Sequence, residues 1–258
     1  MSSLRSAALK PSDRTILVVC ITIIAVGAWL ALWFLGGSTQ GVSHHHHHGM
    51  DEPQASATLV MLLFVGGWTL MTVAMMLPTS IPILTVFHTI AGQREDRSRL
   101  VALVVIGYIV AWAAFGVIVH VGNLLIKWLV SASPWLEANI WIGAPALLLV
   151  AGLFQFTSLK YRCLDKCRSP FSFVVAHWQG QQHRRQAFRL GLDHGIFCVG
   201  CCWALMLLMF AVGVGSLLWM MVLAAVMAIE KNMPWGRRLS APLGIVLIGW
   251  AAVLFVLA

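Results

Sequence analysis

The sequence predicts an all-α, polytopic transmembrane helix bundle, on the strength of its composition, its uncharged stretches and the placement of its positive charge. Of 258 residues, 60% are hydrophobic and 10% charged, and mean hydropathy is +0.86. A soluble domain of this length has no core that could absorb so much apolar surface. Thr15 to Met50 and Pro53 to Gln93 contain no Lys, Arg, Asp or Glu, and a bilayer-spanning helix needs only about 20 such residues. Apolar runs bounded by charge, proline or glycine give seven spans, at about 15–36, 57–77, 100–126, 138–159, 192–212, 216–230 and 240–258. The sixth depends on a turn at Gly213, Gly215 and Ser216, without which six spans remain.

Taken in order, the first span (Ile16 to Leu35) lacks a small-residue cleavage site and reads as an anchor helix. The loop after it carries His44, His45, His46, His47 and His48, followed by Met50, Asp51 and Glu52. This set could collect a divalent metal or Cu(II); an affinity tag or a solvated low-complexity loop explains it equally. The second span ends on Ala74-Met75-Met76-Leu77-Pro78, with Pro82 one turn later. Between the fourth and fifth spans, Lys160 to Leu190 is the largest non-membrane segment. Ser169-Pro170 breaks it, and Phe171, Phe173 and Trp178 alternate with polar residues as in an interfacial amphipathic segment. Glu230 closes the sixth span, followed by Lys231 and Pro234. We read one integral membrane domain over 1–258, with the anchor helix and His-rich outer loop in 1–56 and the core in 57–258.

Positive charge sets the orientation. Arg5, Lys10 and Arg14, then Arg94, Arg97 and Arg99, then the Lys160 to Arg189 segment, then Lys231, Arg237 and Arg238 all fall on one side if the N-terminus is cytoplasmic. Only Lys127 of the 17 Lys and Arg residues falls outside, as the positive-inside rule expects. The net charge of +8 is therefore topological, and membrane lipids are its partners. Basic residues spread over several loops form no stripe for nucleic acid.

The chemistry is concentrated in the fifth span, where His194, Cys198, Cys201 and Cys202 form an H-x-x-x-C-x-x-C-C run. At about 100° per residue these four fall within roughly a 100° arc. His194 to Cys201 rises about 10 Å, so one helix supplies only part of any metal site. Cys163 and Cys167 upstream, the Met75 and Met76 pair, and Glu230 lie at other cytoplasmic ends and are the candidates to complete it. Thiolate with thioether favours Cu(I), and His with Cys also admits zinc, so copper is the first choice of metal and zinc the second. The bland alternatives stay open: buried thiols and methionines pack cores, and Glu230 can be a boundary anchor. In a reducing cytosol disulfides are not expected. Cys20 reads as a packing thiol, Asp193 as the cap of the fifth helix, His120, His177 and His183 as packing or surface residues, and His88 as a residue able to reach the inner vestibule.

These motifs also carry a resemblance. Ala74-Met75-Met76-Leu77-Pro78, Ala151-Gly152-Leu153-Phe154-Gln155, Leu159-Lys160 with Cys163, Cys167-Arg168-Ser169-Pro170, and Gly195-Ile196-Phe197-Cys198-Val199-Gly200-Cys201-Cys202-Trp203-Ala204-Leu205-Met206 resemble a bacterial domain-of-unknown-function family of predicted metal-binding integral membrane proteins. Glu230-Lys231 and Pro234 extend the resemblance, which runs from about Leu59 to Leu257. Members often carry a Met-rich first loop where this chain has histidines. The resemblance implies a multi-pass protein of the bacterial inner membrane that binds a metal.

Two functions follow as expectations. In the first, the protein handles a soft metal, copper before zinc, for transport or for delivery to a membrane metalloenzyme. In the second, it is a non-catalytic subunit of a larger membrane complex. An enzyme is not expected, since no Walker sequence, phosphate loop or Ser/His/Asp order appears; a thiol-redox enzyme using Cys198 to Cys202 and Cys163 with Cys167 stays open as a third reading, although these thiols lack a thioredoxin-like context.

Overall fold

Proline positions decide several of the helix ends. The computed structural model describes residues 11–40, 56–92, 94–179, 182–212 and 216–257; the His44 to His48 loop lies outside them. α1 (Pro11–Gln40) is followed by α2 (Ala57–Met75), which begins at Ser56, whose hydroxyl accepts a hydrogen bond from the Leu59 amide. α2 stops ahead of Pro78, whose ring has no amide hydrogen and collides with the carbonyl four residues back. That freed carbonyl, Ala74 O, accepts from Trp29 Nε1 of α1 at 3.1 Å, which ties the two helices together. A 3-10 turn at Pro78–Ser80 leads into α3 (Ile81–Ile90), and α4 (Arg97–Ala132) follows. Just ahead of α4, Arg94 Nε donates to Asp96 Oδ1 at 3.0 Å and holds that carboxyl below its usual range.

The second half continues with α5 (Pro134–Ala138), a 3-10 turn at Ile140–Ile142, α6 (Gly143–Phe154), α7 (Ser158–Cys167) and α8 (Pro170–His177). It ends with α9 (His183–Val212), α10 (Leu217–Asn232), a 3-10 turn at Gly236–Leu239 and α11 (Ser240–Leu257). The described residues are almost all in helices and the turns between them, without a strand. Among the described residues, five segments are long and apolar enough to cross a membrane: those of α1, α2, α4, α9 and α11. A sixth exists if Ile140–Phe154 and Ser158–Cys167, bent by 66°, are one broken span. The expected sixth span is α10, but its 16 residues rise about 24 Å, short of a hydrocarbon core of about 30 Å.

The start of the fifth span differs from the sequence expectation. The fifth span was expected to start at 192 with Asp193 as its cap, yet α9 begins at His183. No proline interrupts 183–192, so the helix continues past the end of its apolar run, and Asp193 sits mid-helix, 3.7 Å from His177 Nε2. The segment expected to be interfacial packs onto the bundle. α7 lies against α9, and α8 packs beneath α3 and α9, burying Phe173 and Val174 while Phe171 stays exposed. Trp178 meets Phe87 edge-on with ring centroids 5.0 Å apart.

The central pair is α4 and α9, and small residues allow them to touch. A Cβ at Gly195 would lie 2.6 Å from Ala111 Cβ and 3.0 Å from Tyr108 O, and one at Gly191 would run into the Val104 backbone. Glycine at i and i+4 is a close-approach device that membrane helices use because lipid offers no hydrophobic force to drive them together. This contact turns Tyr108 of α4 toward the α9 cysteines. Outward-facing Ile23, Phe34, Leu63, Ile118 and Val256 are all more than half exposed, an apolar perimeter that suits lipid better than water.

Candidate metal centre

Sulfur gathers where α2 and α10 end beside the middle of α4 and α9. Met76 follows the last residue of α2 because Pro78 halts the helix there, and its side chain is 0% exposed. Cys198 and Cys202 lie one turn apart on α9, each 1% exposed. Cys202 Sγ is 3.8 Å from Met76 Sδ. Cys198 Sγ is 3.0 Å from Tyr108 Oη, and the Tyr108 hydroxyl is 3.3 Å from Met76 O. Into this group reaches Lys231 of α10, with Nζ 2.8 Å from Cys198 Sγ, 3.4 Å from Met76 Sδ and 3.9 Å from Cys202 Sγ. Four elements that are far apart in sequence thus supply one site from which water is excluded.

The other candidates divide around this core. Cys201 is buried, and its thiol donates to Cys198 O at 3.1 Å, as does that of Cys202 at 2.9 Å. Cys167 on α7 faces Cys201 and is partly exposed. Cys163, one turn earlier, lies against Gly200, where an added Cβ would come within 2.6 Å of its sulfur. These three thiols form a second layer on the α7 side. His194 is buried between the rings of Tyr108 and Phe173, each 5.7 Å away by centroid, and its Nδ1 has no hydrogen-bond partner among the described residues. His88 is buried in α3.

Met75 and Glu230 are not brought to the sulfurs of Met76, Cys198 and Cys202. Met75 turns to a pocket bounded by Trp29, Pro78, Ala225 and Asn232 between α1, α2 and α10, because neighbours on a helix point about 100° apart. Glu230 diverges from Lys231 for the same reason. Its carboxylate accepts from Lys160 Nζ at 2.7 and 2.9 Å and from Ser240 Oγ at 2.7 Å. Lys160 also donates to Gln155 Oε1, and all four residues are buried. Arg168 extends this network from α7, donating to Glu230 O at 2.5 Å and Pro234 O at 2.9 Å. Cys20, expected to pack, is exposed on α1. His120 packs as expected, against Phe64 with centroids 4.9 Å apart.

Sequence reasoning missed Tyr108, Lys231 and Lys160. The two lysines had a usable signal: charge within reach of an apolar helix is costly and tends to face the interior. Tyr108 had none, since nothing in one sequence pairs it with Cys198, 90 residues away.

Among the described residues no group of three or more His, Cys, Asp and Glu side chains is arranged to hold a metal. A three-ligand set arises only when the Met76 thioether is counted. Two thiols and one thioether, with the Glu230 carboxylate committed to Lys160, form a soft donor set, and ligand softness selects Cu(I) over harder cations. On the far side of the site from the start of α4, Trp112 is 0% exposed. Its carbonyl accepts from Trp68 Nε1 at 3.1 Å, Phe64 and Phe210 stack on Trp68, and Phe115 meets it at a tilt. An aromatic layer therefore closes that side.

Fold and site define a helical bundle of membrane-length segments around a buried soft-donor centre. The model of the PpoB2 family, described as copper chaperone, matches residues 65–254, and the chain belongs to that family. The matched region contains Met76, Tyr108, Cys198, Cys202 and Lys231 and leaves out His44 to His48. No curated protein and no solved structure matches the chain. The family name supports copper handling; nothing supports zinc.

Proposed function

We propose that the protein receives Cu(I) within a bacterial inner membrane and passes it to a copper-using membrane enzyme, acting as a metal carrier without catalysis of its own. The observation that carries this reading is the convergence of Met76, Cys198 and Cys202 sulfur within one water-excluded site, in a chain of the copper chaperone family. In this reading the two thiols lose their protons as the metal arrives, since thiolate is the ligand form. The Met76 thioether completes a three-coordinate site.

Handover uses the thiols beyond the first three. Cys201 and then Cys167 lead from the buried site toward the partly exposed α7 surface, so sulfur can exchange for sulfur along a short path. Cys163 and His194 flank this route as auxiliary donors. Met75 and Glu230 support the site from neighbouring positions, and the His44 to His48 loop gathers metal on the outer face. The chain crosses the membrane seven times with its N-terminus in the cytoplasm, α10 being the sixth crossing. Membrane lipids and the receiving enzyme are its partners.

Elemental analysis after anaerobic Cu(I) loading tests the reading. The full-length protein is expected to retain copper, and the Cys198→Ser/Cys201→Ser/Cys202→Ser variant to lose it. Equal copper in the two proteins sinks the proposal.

A further inference from the structure

Lys231 is the one charged side chain among the Met76, Cys198 and Cys202 sulfurs, 2.8 Å from Cys198 Sγ and 3.4 Å from Met76 Sδ. It is 7% exposed and its neighbour Glu230 is turned away into the Lys160 pair, so among the described residues no carboxylate pairs with it at the site. Tyr108 contributes a neutral hydroxyl. The charge of the loaded site is therefore set by three terms: the thiolates, the ammonium and the metal.

We propose that Lys231 determines which metal valence the site accepts, selecting monovalent over divalent cations; this rests on the reading of Met76, Cys198 and Cys202 as the cargo site. Two thiolates, one ammonium and a monovalent metal sum to zero. A divalent metal in the same place leaves one uncompensated positive charge, and burying net charge in a low-dielectric interior is strongly unfavourable. Removing the ammonium reverses the balance: the divalent metal then gives a neutral site and the monovalent metal a negative one. Softness alone does not exclude a divalent metal, because thiolates also bind zinc. The ammonium stays beside the dithiolate when metal enters, as its counter-charge.

The test measures Cu(I), Ag(I) and Zn(II) affinity by chelator competition on the full-length detergent-solubilised protein. The variants are Lys231→Gln, Lys231→Met, Lys231→Arg and Cys198→Ser/Cys202→Ser. In the neutral variants the preference for monovalent over divalent metal is expected to fall on the order of 100-fold, while Lys231→Arg keeps the wild-type ratio. An unchanged ratio in Lys231→Gln or Lys231→Met overturns the proposal, as does an equal fall in Lys231→Arg. If neither neutral variant folds, the wild-type protein decides: it must take up Ag(I) at the site and refuse Zn(II), and comparable binding of the two overturns the inference. Metal binding that survives in the Cys198→Ser/Cys202→Ser variant overturns the cargo-site reading itself, a failure distinct from an unaltered valence ratio.

Discussion

At the scale of single residues, the most consequential feature beside the sulfurs is the Lys160 and Glu230 pair, held at 2.7 Å with both side chains almost fully buried. Ser240 Oγ and Gln155 Oε1 satisfy the remaining capacity of this pair, so it costs little as long as it stays whole. Breaking such a pair leaves a naked charge. Lys160→Met is expected to destabilise the protein by about 3–5 kcal/mol, seen as a clear fall in the thermal unfolding midpoint in detergent. The Lys160→Met/Glu230→Met double variant should recover much of the loss; a double variant no better than the single one would show that the lysine matters by packing alone. Glu230 stood out in the sequence as an ionisable group at the end of an apolar run. Its partner did not, because 70 residues separate them.

At the scale of elements, the contact between α4 and α9 decides whether the site forms. Gly191 and Gly195 are visible in the sequence as a G-x-x-x-G pair, yet only the packing shows that they meet Val104, Tyr108 and Ala111. A branched side chain there pushes α9 away from α4 and carries Cys198 off Tyr108. Gly191→Val is therefore expected to lower stability by several kcal/mol, as overpacked or clashing core sites do, and to abolish Cu(I) retention. Gly66→Ala on α2, where an added Cβ meets nothing within 4 Å, should leave both unchanged. Melting curves and copper content of the two variants check this, and an unaffected Gly191→Val protein would refute the close-packing argument. The ends of the elements were read less well than their existence. Hydropathy marks where lipid contact stops, whereas α9 runs nine residues further because no proline or unpaired backbone stops it.

At the scale of the whole molecule, Arg14, Arg97, Arg168 and Arg237 belong to the basic clusters that the positive-inside rule assigns to the cytoplasm, and the sulfur site lies toward that same end of α2 and α10. The described residues hold five membrane-length segments, or six with the bent pair, and α10 supplies the remaining crossing of the proposed seven. Seven crossings from a cytoplasmic N-terminus put the C-terminus outside. A periplasmic reporter enzyme fused after Ala258 should be active, and one fused after Arg94 inactive; an inactive C-terminal fusion would favour an even number of spans. The 16-residue α10 is the element on which the count turns.

The sequence by itself determined the class, an all-helical apolar bundle with soft donors clustered on one helix, because composition, hydropathy and i to i+4 spacing are local properties. It also offered Met76, Cys198 and Cys202 as candidate donors, together with Met75, Cys163, Cys167, His194, Cys201 and Glu230. Tertiary structure decided the rest: that Met75 and Glu230 turn away from these sulfurs while Met76 and Lys231 turn in, and that Tyr108 closes the site. Adjacent helical residues point about 100° apart, so which of two neighbours serves a site depends on how helices distant in sequence pack, and no local pattern records that.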